Sequence, residues 1–139
     1  MAKQKVGEAR FSLILRGESL QVESIEQALA LKASRVIRRG EVLNRIPLIE
    51  AAQDEWIHSI ELVTPEGVDE GWNALLSHLE ARRDAVQALK AQCEVSLRLY
   101  IQSDYAQMAY SLEADTLRKL VSLELPLSVS SLSWGEYGL

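Results

Sequence analysis

Hydrophobic residues recur at helical spacing between residues 68 and 89, and this is the strongest pattern in the chain. Steps of three, four or seven residues put them all on one stripe of an α-helix: Val68, Trp72, Leu75, Leu79, Val86 and Leu89. Arg82 interrupts the series, but a long arginine stem can lie along apolar surface. The pattern predicts one long helix that enters at Thr64-Pro65-Glu66 and ends near Lys90.

Strict alternation of apolar and polar residues predicts strands on both sides of that helix. The clearest are residues 10–16 and 94–102, which we expect to be adjacent. Weaker patterns predict an edge strand near 35–38, a strand over 56–63 of ambiguous orientation, and a last strand from Leu127 with a bulge at Ser130-Ser131. The buried sheet face is predicted to consist of Phe11, Leu13, Leu15, Val95, Leu97, Leu99 and Ile101.

Two further helices are predicted from their starting residues. Ser24 with Gln27 forms a capping-box pattern for a short helix through Leu31. Ser111 is predicted to cap a later helix whose buried face carries Leu117, Leu120 and Val121. Between these regions, Pro47 argues against a central strand, so residues 46–49 are expected to be a loop that packs on the core.

The order of these elements predicts a single α+β domain over residues 1–139, with flexible ends at 1–9 and 135–139. We expect a mostly antiparallel sheet of four or five strands with all helices on one face. Its core would be ferredoxin-like, extended by one helix and one strand.

Composition narrows the classes of function. The net charge of −5 argues against nucleic-acid binding, which normally needs a basic surface. No apolar run reaches the length of a membrane span or a signal peptide, so we expect a cytoplasmic protein with no membrane partner. The single cysteine, Cys93, excludes an intramolecular disulfide.

The sequence contains no evident catalytic or metal-binding constellation. His58, His78 and Cys93 do not pair at ligand spacing, so we expect no metal and no cofactor. A nucleophilic Cys93 would need a neighbouring base, and a structural role at a helix–strand junction is the simpler interpretation. These observations favour a protein that is not an enzyme.

Several segments together resemble a bacterial family described as a domain of unknown function, number four-two-seven-nine. The resemblance is carried by the strand Phe11–Gly17, the Arg39-Gly40-Glu41 turn, Trp56 before a strand, and the ending Leu117-Arg118 to Leu125-Pro126-Leu127. It covers most of residues 10–130 and implies no established activity. By analogy, some small acidic bacterial proteins serve as immunity partners of toxins.

The leading functional hypothesis is a non-catalytic protein-binding module, either an immunity-type inhibitor or a self-associating accessory protein such as a homodimer. Its candidate binding residues are Arg16, Arg98 and Tyr100, which alternation places on the sheet face opposite the core.

An alternative site is the cluster Arg35, Arg38 and Arg39 with Trp56. It could hold a small anion or another small molecule, or belong to an unfamiliar enzyme, because guanidinium groups bind carboxylates and phosphates in a forked geometry. The simpler interpretation is a solvated loop whose arginines pair with Glu41 and Glu50. Tyr105, Met108 and Tyr110 form either an interaction patch or a cover for the core.

Overall fold

The computed structural model describes residues 8–62, 65–103 and 111–133. These residues form seven strands and four helices, in the order β1 (Glu8–Gly17), α1 (Val22–Leu29), β2 (Arg35–Ile37), β3 (Val42–Arg45), β4 (Leu48–Glu50), β5 (Asp54–Leu62), α2 (Pro65–Glu80), α3 (Arg83–Lys90), β6 (Glu94–Ser103), α4 (Ala114–Leu123) and β7 (Leu127–Ser133).

Five strands form one mixed sheet in the order β2-β5-β1-β6-β7. The pairings β2–β5, β5–β1 and β1–β6 are antiparallel, and β6–β7 is parallel. The predicted adjacency of strands 10–16 and 94–102 is therefore confirmed. The strands β3 and β4 pair only with each other within the described part of the chain and form a separate hairpin.

Alternation along β1 and β6 places one apolar row against the helices. The seven residues predicted for the buried sheet face are all buried, which confirms that prediction. They form one cluster with the buried apolar residues of all four helices, and the rings of Phe11 and Trp72 lie 4.6 Å apart at its centre. Burial of this area supplies most of the favourable free energy of folding.

The predicted long helix is divided into α2 and α3 by a turn at Ala81 and Arg82. The backbone of Arg82 leaves the helical region, with φ −120° and ψ 32°. Its side chain folds back, and Nη1 donates to the carbonyl oxygen of His78 at 3.1 Å. The residue that interrupts the apolar stripe thus satisfies a carbonyl at the end of α2, while Val86 and Leu89 still reach the core.

The structure corrects the predicted starts of two helices. The helix α1 begins at Val22 rather than after Ser24, and it ends at Leu29 because Ala30 adopts a left-handed conformation with φ 51°. The helix α4 is not capped by Ser111. Asp69 of α2 caps it instead, since its carboxylate accepts hydrogen bonds from the Glu113 backbone at 2.7 Å and the Thr116 hydroxyl at 2.9 Å.

The predicted buried face of α4 is wrong for two of its three residues. Leu117 is 45% exposed and Val121 is 74% exposed. The inner face of α4 is mixed: Leu123 is buried in the core and Leu120 packs against it. The rest of that face bonds to α2, since Thr116 accepts from Asn73 at 2.8 Å and Lys119 donates to Asn73 and Ser77. These hydrogen bonds between the two helices pair the buried polar groups.

Two other local predictions also fail. The pairing of β7 with β6 runs without interruption from Leu127 to Ser133, so there is no bulge at Ser130-Ser131. Residues 46–49 do not pack on the core, because they form the exposed turn and second strand of the β3–β4 hairpin.

Several expectations concern residues outside the described part of the chain. These are the helix entry at Thr64, the segment containing Tyr105, Met108 and Tyr110, and the terminal residues 1–7 and 134–139. Ala9, which was expected in a loose N-terminus, belongs to β1 and is buried. Among the described residues, no helix is long and apolar enough to cross a membrane.

Candidate functional site

The sheet surface that carries Arg10, Ser12, Ile14 and Arg16 of β1 is called here the open face. Strand register arranges its side chains in rows that cross the strands. A concavity of about 520 Å³ lies on this face, and its lining includes residues from β2, β5, β1 and β6 but none from a described helix.

The middle row of this face joins Ser59, Ser12, Arg98 and Ser128 across four strands. The hydroxyl oxygens of Ser12 and Ser59 lie 2.8 Å apart and share a hydrogen bond. Arg98 is exposed, and its guanidinium group has no hydrogen-bond or ion-pair partner among the described residues. This row therefore presents an uncompensated cation between hydroxyl groups.

The next row contains Glu61, Arg10, Tyr100 and Ser130. Arg10 lies 3.3 Å from the carboxylate of Glu61, and its guanidinium carbon is 6.0 Å from the centre of the Tyr100 ring. That distance is within the range of a cation–π contact. The Tyr100 hydroxyl donates to Gln102 at 3.1 Å. The ring of Tyr100 is thus held by Arg10 and its hydroxyl by Gln102. The half-buried ring lies two residues from Arg98 on the same face of β6.

The row on the other side of Arg98 supplies the apolar floor. It joins Arg35, Ile57, Ile14 and Ser96. Ile14 is only 3% exposed, although it lies on the open face. Leu43 of the β3–β4 hairpin also lines the concavity, so the hairpin contributes to its wall.

Arg16 lies in the last row, with Ile37, Glu55 and Glu94. Its Nε bonds to the carboxylate of Glu55, so its charge is compensated. Because Arg98 is four residues beyond Glu94 on β6, it is roughly 13 Å along the strand from Arg16. The structure brings Arg98 and Tyr100 together and leaves Arg16 at the far end of the same face.

The alternative cluster of three arginines and a tryptophan is divided in the structure. Trp56 lies opposite Leu15 on the core side of β5 and is fully buried. Arg35 points to the open face and pairs with Glu41 at 3.7 Å, whereas Arg38 donates to Asp54 at 2.9 Å on the other side. Arg39 reaches the same Asp54 through its backbone. Of the four residues, only Arg35 lines the concavity.

Asp54 connects the chain before α1 to the end of β2. Its buried carboxylate accepts hydrogen bonds from the backbone of Arg39 at 2.8 Å and of Leu20 at 3.1 Å. These bonds, and the adjacent Arg38, hold the pKa of Asp54 below its ordinary value. The Arg38–Asp54 pair therefore has a structural explanation that needs no ligand.

Several residues of the site were not singled out from the sequence, among them Arg10, Ser59 and Glu61. Arg10 carries the same signal as Arg16, because both alternate with the core-facing residues of β1. Ser59 and Glu61 could not be assigned to a face, since apolar residues occur on both faces of β5. Among the described residues, no group of three or more His, Cys, Asp or Glu side chains is placed to hold a metal ion.

These features define a small α/β protein with a five-stranded mixed sheet, a projecting hairpin and a polar, concave sheet face. The chain belongs to the family described as Domain of unknown function (DUF4279), whose sequence model matches residues 7–134. This match confirms the resemblance seen in the sequence. Comparisons with curated proteins and with solved structures find no match.

Proposed function

We propose that the protein is a non-catalytic binding module whose open face contacts another protein. The observation that carries the proposal is that Arg98 and Tyr100 lie two residues apart on the same face of β6. Arg98 has no hydrogen-bond or ion-pair partner among the described residues, and the ring of Tyr100 is held by its own contacts. Arginine and tyrosine are enriched among the residues that dominate binding energy at interfaces. The isoleucine floor beside them adds apolar area that a partner could cover.

The fold supports this use of the open face. We propose that the antiparallel strands β6-β1-β5-β2 form a ferredoxin-like core, with α4 and β7 as an extension and the hairpin as an insertion. In such a core the helices cover one face of the sheet, and the other is available for binding. A rigid sheet also holds the side chains in place, which reduces the entropy lost on association.

The charges of the open face indicate the chemistry of the partner. The other three arginines described above on the open face each have a carboxylate partner: Arg10 with Glu61, Arg16 with Glu55, and Arg35 with Glu41. Arg98 is therefore the arginine of this face that is available to an anionic group of a partner. A guanidinium group forms two parallel hydrogen bonds with a carboxylate. We therefore propose a partner segment with an acidic residue flanked by apolar residues. An immunity-type inhibitor and a self-associating accessory protein are the two forms of such a module that we consider.

Site-specific photo-crosslinking tests this proposal. A photo-reactive residue replaces Ser128, which is exposed and lies beside Arg98, in cells that naturally make the protein. The matched control carries the same residue at the exposed Gln27 on α1. We expect a discrete protein adduct from position 128 that is absent from position 27 and is lost on Arg98→Glu. Identical adduct patterns at both positions would contradict the proposal.

A second candidate function is the binding of a small anion in the same concavity. Its volume of about 520 Å³ is within the range of small-molecule sites, and Arg98 provides a cation there. Thermal-shift measurements with inorganic phosphate and with small dicarboxylates test it. An increase in Tm that is lost in Arg98→Ala and kept in Arg83→Ala, which changes an exposed α3 residue, would favour this candidate.

A further inference from the structure

The exposed large apolar side chains of the described residues fall into two groups at opposite ends of the strand order. The hairpin group follows the edge strand β2 and consists of Val42, Leu43, Ile46, Leu48 and Ile49. The α4 group lies on α4 and on the opposite edge strand β7, and consists of Leu117, Val121 and Val129. Clustered exposed apolar surface of this kind marks sites of association.

One face of the hairpin combines apolar side chains with a cation, Arg45, and a carboxylate, Glu50. Arg45 lies opposite Leu48, and Val42 lies opposite Glu50. Because Leu48 and Glu50 are two residues apart on one strand, these pairs share a face. Ile46, at the turn, is 91% exposed. Arg45 is exposed and has no ion-pair partner within the described part of the chain.

The α4 group lies between two acidic residues. Leu117 and Val121 are one helical turn apart, Glu113 precedes Leu117 by four residues, and Glu124 follows Val121 by three. The spacing of four residues puts Leu117 and Val121 on the same side of the helix. Glu113 and Glu124 are the capping residues just outside α4, one at each end. Both carboxylates are exposed, and neither has a partner among the described residues. The stripe therefore has an apolar centre and acidic ends.

We propose that the protein self-associates head to tail, with the hairpin of one copy docked on the α4 group of a second copy. Apolar side chains then cover apolar side chains, and Arg45 lies beside a carboxylate of the α4 stripe. Contact between two α4 groups would bring four carboxylates together, and like charges disfavour that arrangement. The α4 group therefore needs a surface that carries a cation beside apolar side chains. Arg45 with Val42 and Leu48 of the hairpin provides such a surface.

A head-to-tail contact has a consequence that a symmetric dimer lacks. Each copy keeps one unused hairpin and one unused α4 group at the ends of the assembly, so copies add until a ring closes or a filament extends. The contact uses neither Arg98 nor Tyr100. Leu43 of the hairpin also lines the concavity, so the test changes Leu48 and Val121, which do not line it. Failure of this proposal can then be distinguished from failure of the proposed function. Few side chains take part, and interfaces below about 1,200 Å² are typically transient. We therefore expect assembly to depend strongly on concentration.

Complementation of two single variants tests the proposal. Leu48→Asp disables the hairpin, Val121→Asp disables the α4 group, and Gln27→Asp on α1 is a control with the same change of charge. Light scattering over a concentration series is the measurement. We expect the parent and Gln27→Asp to increase in mean mass with concentration, and each of the other variants alone to remain monomeric.

The equimolar mixture of Leu48→Asp and Val121→Asp is the decisive sample. It contains one intact hairpin and one intact α4 group for each pair of copies, so we expect particles of two copies and none larger. Assembly by Val121→Asp alone would show hairpin–hairpin contact and overturn the proposal. Assembly by Leu48→Asp alone, a monomeric parent at the highest concentration, or a monomeric mixture would also overturn it. Ile46→Ser and Leu117→Ser replace either aspartate variant that fails to fold.

Discussion

Arg98 lies directly opposite Ser12 across the β1–β6 pair, and the Ser12 hydroxyl is already bonded to Ser59 at 2.8 Å. Arg98 makes no hydrogen bond to this hydroxyl or to any other described residue, so its donors remain available to a binding partner. The strand pairing fixes the backbone beneath this arginine. A binding partner would therefore meet a cation whose anchor point is already ordered, which lowers the entropic cost of association.

The core of α2 should be sensitive to the loss of Leu79. This side chain is fully buried in the central cluster, so we expect Leu79→Ala to lower the free energy of unfolding by about 2–5 kcal/mol. Leu117→Ala is a matched control on an exposed face and should change it by about 0.5 kcal/mol or less. Urea denaturation measures both. An equal loss of unfolding free energy in Leu79→Ala and Leu117→Ala would contradict the assignment of the faces of α2 and α4.

The stability that depends on Asp54 should vary with pH. Its pKa is lowered in the folded state, so its contribution is present above the pKa of the unfolded chain and is lost as the pH falls through the folded-state value. We expect Asp54→Asn to lower the urea midpoint clearly at pH 7 and to lower it by progressively less as the pH falls below the ordinary pKa of an aspartate. The control is Asp84→Asn, which changes an exposed carboxylate of α3. If the urea midpoints of the parent and of Asp54→Asn differ by the same amount at pH 7 and at pH 3, the charge of Asp54 does not stabilise the fold.

The attachment of α4 to α2 should depend on Asp69. Because its carboxylate satisfies the Glu113 backbone and the Thr116 hydroxyl, Asp69→Ala should cost about 0.5–2 kcal/mol, the range for loss of a helix cap. Glu70→Ala alters the next, exposed residue of the same helix and is the control. Hydrogen exchange should show faster opening of α4 in Asp69→Ala alone. Unchanged exchange in α4 would show that the helix is held by other contacts.

Local sequence patterns predict the faces of the sheet well, because successive side chains of a strand point to opposite faces whatever the rest of the chain does. The pattern along β1 and β6 identified both the core row and the face that carries Arg98 and Tyr100. The ends of helices were harder to predict, because they depend on residues distant in sequence. Asp69 caps α4 from another helix, and Arg82 ends α2 by folding back on His78.

The exposure of α4 and the hairpin could not be predicted for a related reason. Leu117 and Val121 have the spacing of a buried stripe, but the opposite face of α4 is the one held by Asn73 and Ser77 of α2. The apolar residues of 42–49 suggest a segment that packs on the core. Their pairing with each other leaves them exposed instead. In both cases hydrogen bonding determines which surface remains free.

Cys93 should react slowly with thiol reagents in the folded protein. Burial raises the pKa of its thiol, and Sγ donates to the Leu89 carbonyl at 3.4 Å. The thiolate is the reactive form, so a raised pKa lowers the rate at neutral pH. The control is an exposed thiol made by Gln27→Cys in a Cys93→Ala background. Labelling of Cys93 as fast as the control would indicate an activated thiol and would reopen the possibility of catalysis.

The most direct test of the open face as a binding surface is the affinity for the protein that crosslinks at position 128. Isothermal titration compares the parent with the double variant Arg98→Glu and Tyr100→Ala, and with Arg83→Glu as a control on α3. We expect the double variant to keep the melting temperature of the parent and to bind about 30-fold or more weakly, as for the loss of a binding hot spot. Arg83→Glu should bind like the parent. A folded double variant that binds with the parent's affinity would contradict the account.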